Sequence, residues 1–146
     1  MEWSRLWMSL ERFIEAQGKY YSTALKEVEN GKKETHWMWF IFPQIKGLGH
    51  SDISELFSIQ SRSEAEAYLA HLVLGKRLER IAEALMDLET NDPFEVFGCI
   101  DAIKLHASMT LFFVVSRKDV FADVLVKYFN SLPHWETLEI LRDMEV

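Results

Sequence analysis

Cysteine, glycine and proline are all scarce in this chain. The one cysteine, Cys99, excludes an internal disulfide framework and a cysteine-rich zinc site and fits a reducing compartment, so the cytoplasm is the expected location. Six glycines and three prolines among 146 residues come to roughly half of the average combined usage of about 12%, so sharp turns are few and long helices are expected. Long hydrophobic runs are missing too. Nothing approaches the roughly 18 uninterrupted apolar residues of a membrane span. The opening Met1-Glu2-Trp3-Ser4-Arg5 carries charge from the start, so neither membrane association nor an address label is expected. Basic residues are outnumbered 16 to 23, and the formal charge of -7 repels a phosphate backbone, so non-specific nucleic-acid binding is disfavoured and not expected. What is plentiful is apolar material, 49% of the chain, enough to close the core of one compact domain over residues 1–146.

The apolar positions recur at helical spacing. Leu6, Leu10, Phe13, Ile14, Tyr21, Ala24, Leu25 and Val28 paint one side of a first helix, with Ser4 as its expected cap and Gly31 as its stop. Asp52 with Glu55 and Ser63 with Glu66 have capping-box spacing and predict two more helix starts. After a break at residues 71–75, Leu74, Leu78, Ile81, Leu85 and Leu88 form another stripe. Asp92-Pro93-Phe94-Glu95 has the order helix N-termini favour, which predicts a short helix closed by Gly98. From Asp101 a helix continues through Phe113, Val114 and Val115, and helices over 119–129 and 134–144 complete the set. The expectation is an all-α domain of about seven helices, without repeats or linkers.

Function must then be sought in polar residues placed among apolar ones. Gln17 falls on the inward stripe of the first helix, and a buried amide needs partners, either within the protein or on a ligand. His36-Trp37-Met38-Trp39-Phe40-Ile41-Phe42-Pro43-Gln44 fits no amphipathic period and is expected to be buried on most sides. Its tryptophans offer flat faces for a base or another planar group, with His36 and Gln44 supplying polar groups at the rim; the alternative is a core segment whose His and Gln bond to backbone. Gly47-Leu48-Gly49-His50-Ser51, ahead of a helix start, is either an anion-holding turn or simply a turn.

Asp101, Lys104 and Ser108 share one helix face. That stripe is either a solvated ion pair or one wall of a cleft, where Lys104 pairs with negative charge, Asp101 orients the ligand or exchanges protons, and Ser108 hydrogen-bonds. The five histidines lack paired metal-ligand spacing, so neither a metal nor any other cofactor is expected. Nucleophilic hydrolysis is not indicated either, since no Gly-x-Ser-x-Gly elbow is present and Cys99 has no histidine beside it in sequence.

On the segment from His36 to Gln44, followed by Gly47-Leu48-Gly49 and Ser51, the chain resembles the bacterial domain-of-unknown-function family 1810. Arg12-Phe13, Ala16-Gln17, Tyr68-Leu69, His71, Leu74-Gly75, Arg77-Leu78, Phe97-Gly98, Asp101, Lys104-Leu105 and Ser108 to Phe112 extend the likeness over nearly the whole chain. Leu72 departs from a usual proline and Ala107 from a common serine. The resemblance implies an all-helical fold and no particular activity. A shorter likeness, over Leu10 to Gln17 and at Lys104 and Met109, is to the NADAR proteins, whose members cleave N-glycosidic bonds in ADP-ribosylated guanine bases or riboflavin-pathway intermediates. Their glycine- and asparagine-rich C-terminal motif has no counterpart here. That likeness implies Glu11 as acid/base, Lys104 as an electrophilic or phosphate-pairing group, and Trp37 or Trp39 as a stacking platform.

Two functional expectations follow, along with a structural one. In the first, the opening helix, the aromatic segment and the Asp101 face converge on a cleft that takes a nucleotide or ribosylated base. Glu11, Lys104 and Asp101 there support N-glycosidic hydrolysis, and Gln17, His36, Trp37, Trp39, Gln44 and Ser108 bind. In the second, the same cleft binds a small anion or a protein partner without chemistry. In the third, these residues form an internal hydrogen-bond network.

Overall fold

The structure, a computed structural model, describes residues 2–145, with side chains from Ser9 onward. Among these residues the chain is all-α, with eight helices: α1 (Glu2–Glu29), α2 (Met38–Ile41), α3 (Asp52–Leu56), α4 (Arg62–Ala70), α5 (Leu74–Met86), α6 (Pro93–Ser116), α7 (Asp119–Phe129) and α8 (Trp135–Met144). Extended pairing among them is limited to one parallel bridge between Ile45 and Ile59. Helices α4 and α5 lie between α1 on one side and α6 and α7 on the other, and α8 closes against α6. An edge-on ring contact from Phe13 to Tyr68 (5.2 Å) and a tilted one from Tyr68 to Phe112 (5.3 Å) join α1, α4 and α6 through the centre.

The termini of these helices follow from local chemistry. Helix α1 starts at Glu2, so Ser4 lies inside it instead of capping it; the side chains of Ser4 and Leu6 lie outside the described ones. It stops at Gly31, whose φ of 75° lets the Gly31 N–H reach the Val28 carbonyl and the Lys32 N–H reach that of Glu27, the paired bonds of a left-handed helix stop. The two capping serines sit earlier than expected. Ser51 caps α3 through the Ser54 N–H, and Ser61 caps α4 through the Glu64 N–H. The Ser61 register prevails over Ser63 because it buries Glu64, which accepts from Arg12 Nη2 (2.9 Å), Ser9 Oγ (2.6 Å) and the Gln60 N–H (3.0 Å). His71 Nδ1 accepts from the N–H groups of Val73 and Leu74 and so opens α5. Asp92 caps α6 at the Phe94 N–H, and Gly98, at φ 78° and ψ 173°, breaks that helix into the two pieces the sequence predicts, which meet at a kink. α6 is long and apolar enough to cross a membrane by length and composition; in this fold its buried apolar side chains pack against α4, α7 and α8, while Phe94, Ile100 and Ile103 are exposed.

Helix α8 is capped by a titratable group. His134 Nδ1 faces the Thr137 N–H (3.4 Å) and hydroxyl (2.8 Å), while its ring meets that of His106 edge-on at 5.5 Å. His106 lies flat on Phe129 and donates from Nε2 to the Leu132 carbonyl. Burial holds both imidazoles below their ordinary 6.5; the neighbouring His106 lowers His134 further, against the pull of Glu136, while the Leu132 bond partly offsets the effect at His106. The unfolded chain therefore takes up these protons more readily than the native one, so the stabilisation present above pH 6.5 is lost as pH falls below it. Thermal denaturation between pH 7.5 and 5 should show a falling midpoint. In His134→Ala that fall should be shallower, and stability at neutral pH should be lower by about 1 kcal/mol, the usual value of an N-cap.

Candidate functional site

The cleft grows out of the end of α1. Glu27, only 8% exposed, accepts from the N–H groups of Glu34 (2.7 Å) and Thr35 (3.0 Å), the Thr35 hydroxyl (2.7 Å) and the Trp37 indole N–H (2.9 Å). Burial alone would raise its pKa, but these four donors outweigh it and hold the carboxyl at about 2. One carboxylate thus folds residues 31–37 back over the helix end. The Lys33 N–H reaches the Val96 carbonyl at 2.8 Å, which ties the loop to the first piece of α6. Trp37, Phe42 and Phe97 then pack ring against ring at 6.0–6.4 Å.

Between this loop and the Gly98 kink lies a cleft of about 460 Å³, lined by Lys33, His36, Met38, Trp39, Phe97, Gly98, Cys99, Ile100, Asp101 and Lys104. Asp101 stands between two ammonium groups, with Lys33 Nζ 2.9 Å from Oδ2 and Lys104 Nζ 3.6 Å from Oδ1. The lysines differ in freedom. Lys33, its side chain 8% exposed, also donates to the Thr35 carbonyl and lies 5.1 Å from the Trp37 ring centre, so it is pinned. Lys104, with 23% exposure, makes the longer contact and stands 5.2 Å from the ring centre of half-buried Trp39. The polar lining combines two cations, one anion and an exposed imidazole, over a floor of Met38, Trp39 and Phe97.

The structure thus brings together His36, Trp39, Asp101 and Lys104, and sets the other expected site residues elsewhere. Glu11 is exposed on α1, acts electrostatically on His71 and does not line the cleft. The first helix therefore supports the cleft through Glu27 and does not supply its wall. Gln17 is buried and donates to the Phe40 carbonyl (2.7 Å) and the Tyr68 hydroxyl (2.8 Å), which joins α1, α2 and α4; its Oε1 has no protein partner. Trp37 is fully buried, its indole committed to Glu27. Ser108 is sealed in the core without a hydrogen-bond partner. It is a turn of helix below Lys104, on the part of that face that meets the core.

Gln44 lines a separate hollow of about 10 Å³ with Trp39, Gly49 and Ser54, room for a single water molecule. The nearby glycines serve the turn and its packing, Gly47 through a φ of 107° and Gly49 through close contact. A side chain at Gly49 would strike Ser54, and α3, which follows, is only five residues long. Among the described residues no cluster of three or more His, Cys, Asp and Glu side chains has the makings of a metal site.

Two lining residues, Lys33 and Cys99, and one supporting residue, Glu27, lay outside the sequence expectations. Lys33 sits on the loop that creates the cleft, and Glu27 anchors that loop from the end of α1. Cys99, set aside for lack of a histidine beside it in sequence, shares the lining with His36.

A compact all-α protein with a cleft of mixed charge and aromatic floor is the class these features define. The sequence profile of a family described as "Protein of unknown function (DUF1810)" matches residues 7–141, and the chain belongs to that family. It is also similar to the conserved hypothetical protein Rv1873 from Mycobacterium tuberculosis, known from a crystal structure, with 37% identity and a TM-score of 0.89 over 91% of this chain and 96% of that one. No curated protein matches the chain, and these comparisons lend no support to the NADAR likeness.

Proposed function

We propose that the cleft between residues 31–39 and the Gly98 kink binds a small anionic molecule with a planar group, of nucleotide or ribosylated-base type. The observation that carries this reading is the placement of Lys104 beside both Asp101 and the half-buried face of Trp39. An anionic group drawn to the ammonium arrives within reach of an aromatic surface, and a volume of about 460 Å³ lies within the usual range for small-molecule sites. The net charge of -7 does not oppose this, because two of the sixteen cations are focused at one opening.

Binding is favoured over glycosidic hydrolysis. The two-carboxylate route needs a second acid near the bond to be broken, and Asp101 is the only carboxylate among the lining residues. The network reading applies to Gln17 and Trp37, which are buried and hydrogen-bonded within the protein, while Ser108 is buried without a partner.

The test is calorimetric titration with AMP, ADP, ADP-ribose, NAD and a ribosylated base, with chromatography of each mixture for released base. Binding of at least one nucleotide without release is the expected result; absence of binding by the whole panel at millimolar concentration overturns the reading. In Lys104→Ala the affinity should fall at least tenfold, since a hydrogen bond to a charged group is worth about 1.5–3 kcal/mol. The melting temperature should move little, because the Lys104–Asp101 contact is long and partly solvated.

A further inference from the structure

Resting on that reading, we infer that Asp101 makes the cleft selective for ligands bearing ribose hydroxyls, so that ribonucleotides are bound in preference to their deoxy counterparts. The argument is one of partner exchange. Asp101 Oδ2 is fixed by Lys33, which is itself held by the Thr35 carbonyl and the Trp37 ring. Its Oδ1 faces Lys104 at 3.6 Å. An anionic ligand that draws Lys104 away leaves Oδ1, on a side chain only 20% exposed, short of a partner.

In the free protein water can make up that loss, but a ligand seated over the cleft excludes it, and the loss is then costly unless the ligand returns a donor to the carboxylate. The cleft therefore asks for three features in one molecule: a negative group for Lys104, a planar ring for Trp39, and between them a hydrogen-bond donor for Asp101. Simple aromatic anions lack the donor. In a nucleotide the ribose hydroxyls lie between phosphate and base, and a carboxylate accepts from them readily, as in dinucleotide sites. A donor on the base is less well placed, because Asp101 contacts the cation that takes the phosphate.

The experiment is calorimetric comparison of AMP with 2′-deoxy-AMP and 3′-deoxy-AMP on the intact protein, repeated for the GMP, CMP and UMP series. The ribonucleotide should bind at least tenfold more tightly than one of its deoxy forms, with the same preference for every base. In Asp101→Ala the forms should converge to within about threefold, with folding checked by circular dichroism. Equal affinity of ribo and deoxy forms in the unaltered protein overturns this inference and leaves the nucleotide site standing. A preference that changes with the base, or that survives in a folded Asp101→Ala, also overturns it. If none of these nucleotides binds, the site itself fails, and the inference with it.

Discussion

Glu27→Ala is expected to lower the stability of the protein by about 3 kcal/mol, a fall of about 10 °C in melting temperature for a domain of this size. The carboxylate collects four donors, and its loss strands the Trp37 indole N–H in the core, where water cannot replace the bond. Linkage leads to the same magnitude. A carboxyl that ionises near 4.5 in the unfolded chain and at about 2 in the native one is worth about 3 kcal/mol at neutral pH, at about 1.36 kcal/mol per pH unit. Because the native value is depressed, this contribution is complete above 4.5 and is lost as pH falls from 4.5 towards 2. Glu27→Gln keeps an acceptor but cannot titrate, so its acid denaturation should lack that component. Equal acid sensitivity in the glutamine variant and the parent would disprove the assignment.

The same substitution should also reach the cleft. Lys33 and His36 sit on the loop that Glu27 folds back, so a loosened loop misplaces the cation that fixes Asp101. Nucleotide affinity should therefore fall in Glu27→Gln, although the residue does not line the cleft. Glu27 is a positioning residue, and adding back stability with osmolyte should not restore affinity if loop geometry is the cause.

Fold and site were legible in the sequence to different degrees, for physical reasons. Helix α7 has the bounds its stripe predicts, and Asp92, Pro93 and Gly98 mark α6 as expected, because caps and breakers act within a few residues of themselves. Capping registers were less certain, since Ser61 and Ser63 both offer the right spacing, and only the burial of Glu64 against Arg12 decides between them. Asp101 and Lys104 were readable as one helix face. What that face meets depends on a chain reversal at Gly31, which no local pattern specifies. Glu27 did leave a trace: an acid three residues after Ala24 and one before Val28, on the inward side of α1. The same stripe reading that made Gln17 conspicuous would have found it. Glu11 was placed by likeness to another family, and its exposure follows from its position beside inward-facing Leu10.

Gly75→Ala is expected to destabilise the fold by more than about 3 kcal/mol, against the usual helix preference. Gly75 lies in the first turn of α5 with ordinary helical backbone, so propensity alone favours alanine by up to about 1 kcal/mol. The outcome is set across the helix junction instead. A Cβ at this position runs into the carbonyl oxygen of Leu69 in α4, a backbone atom that cannot swing aside as a side-chain tip does. Relief requires α4 and α5 to separate, which disturbs Tyr68 and with it the ring contacts to Phe13 and Phe112. Gly18→Ala supplies the contrast within one protein. Gly18 is exposed in the middle of α1 and a Cβ there meets no atom within 4 Å, so that variant should be neutral or gain up to about 1 kcal/mol. Urea denaturation beside the parent should show a lower midpoint for Gly75→Ala and an unchanged or higher one for Gly18→Ala. A Gly75→Ala variant as stable as the parent would mean that α4 and α5 are not held as closely as the Leu69 carbonyl requires.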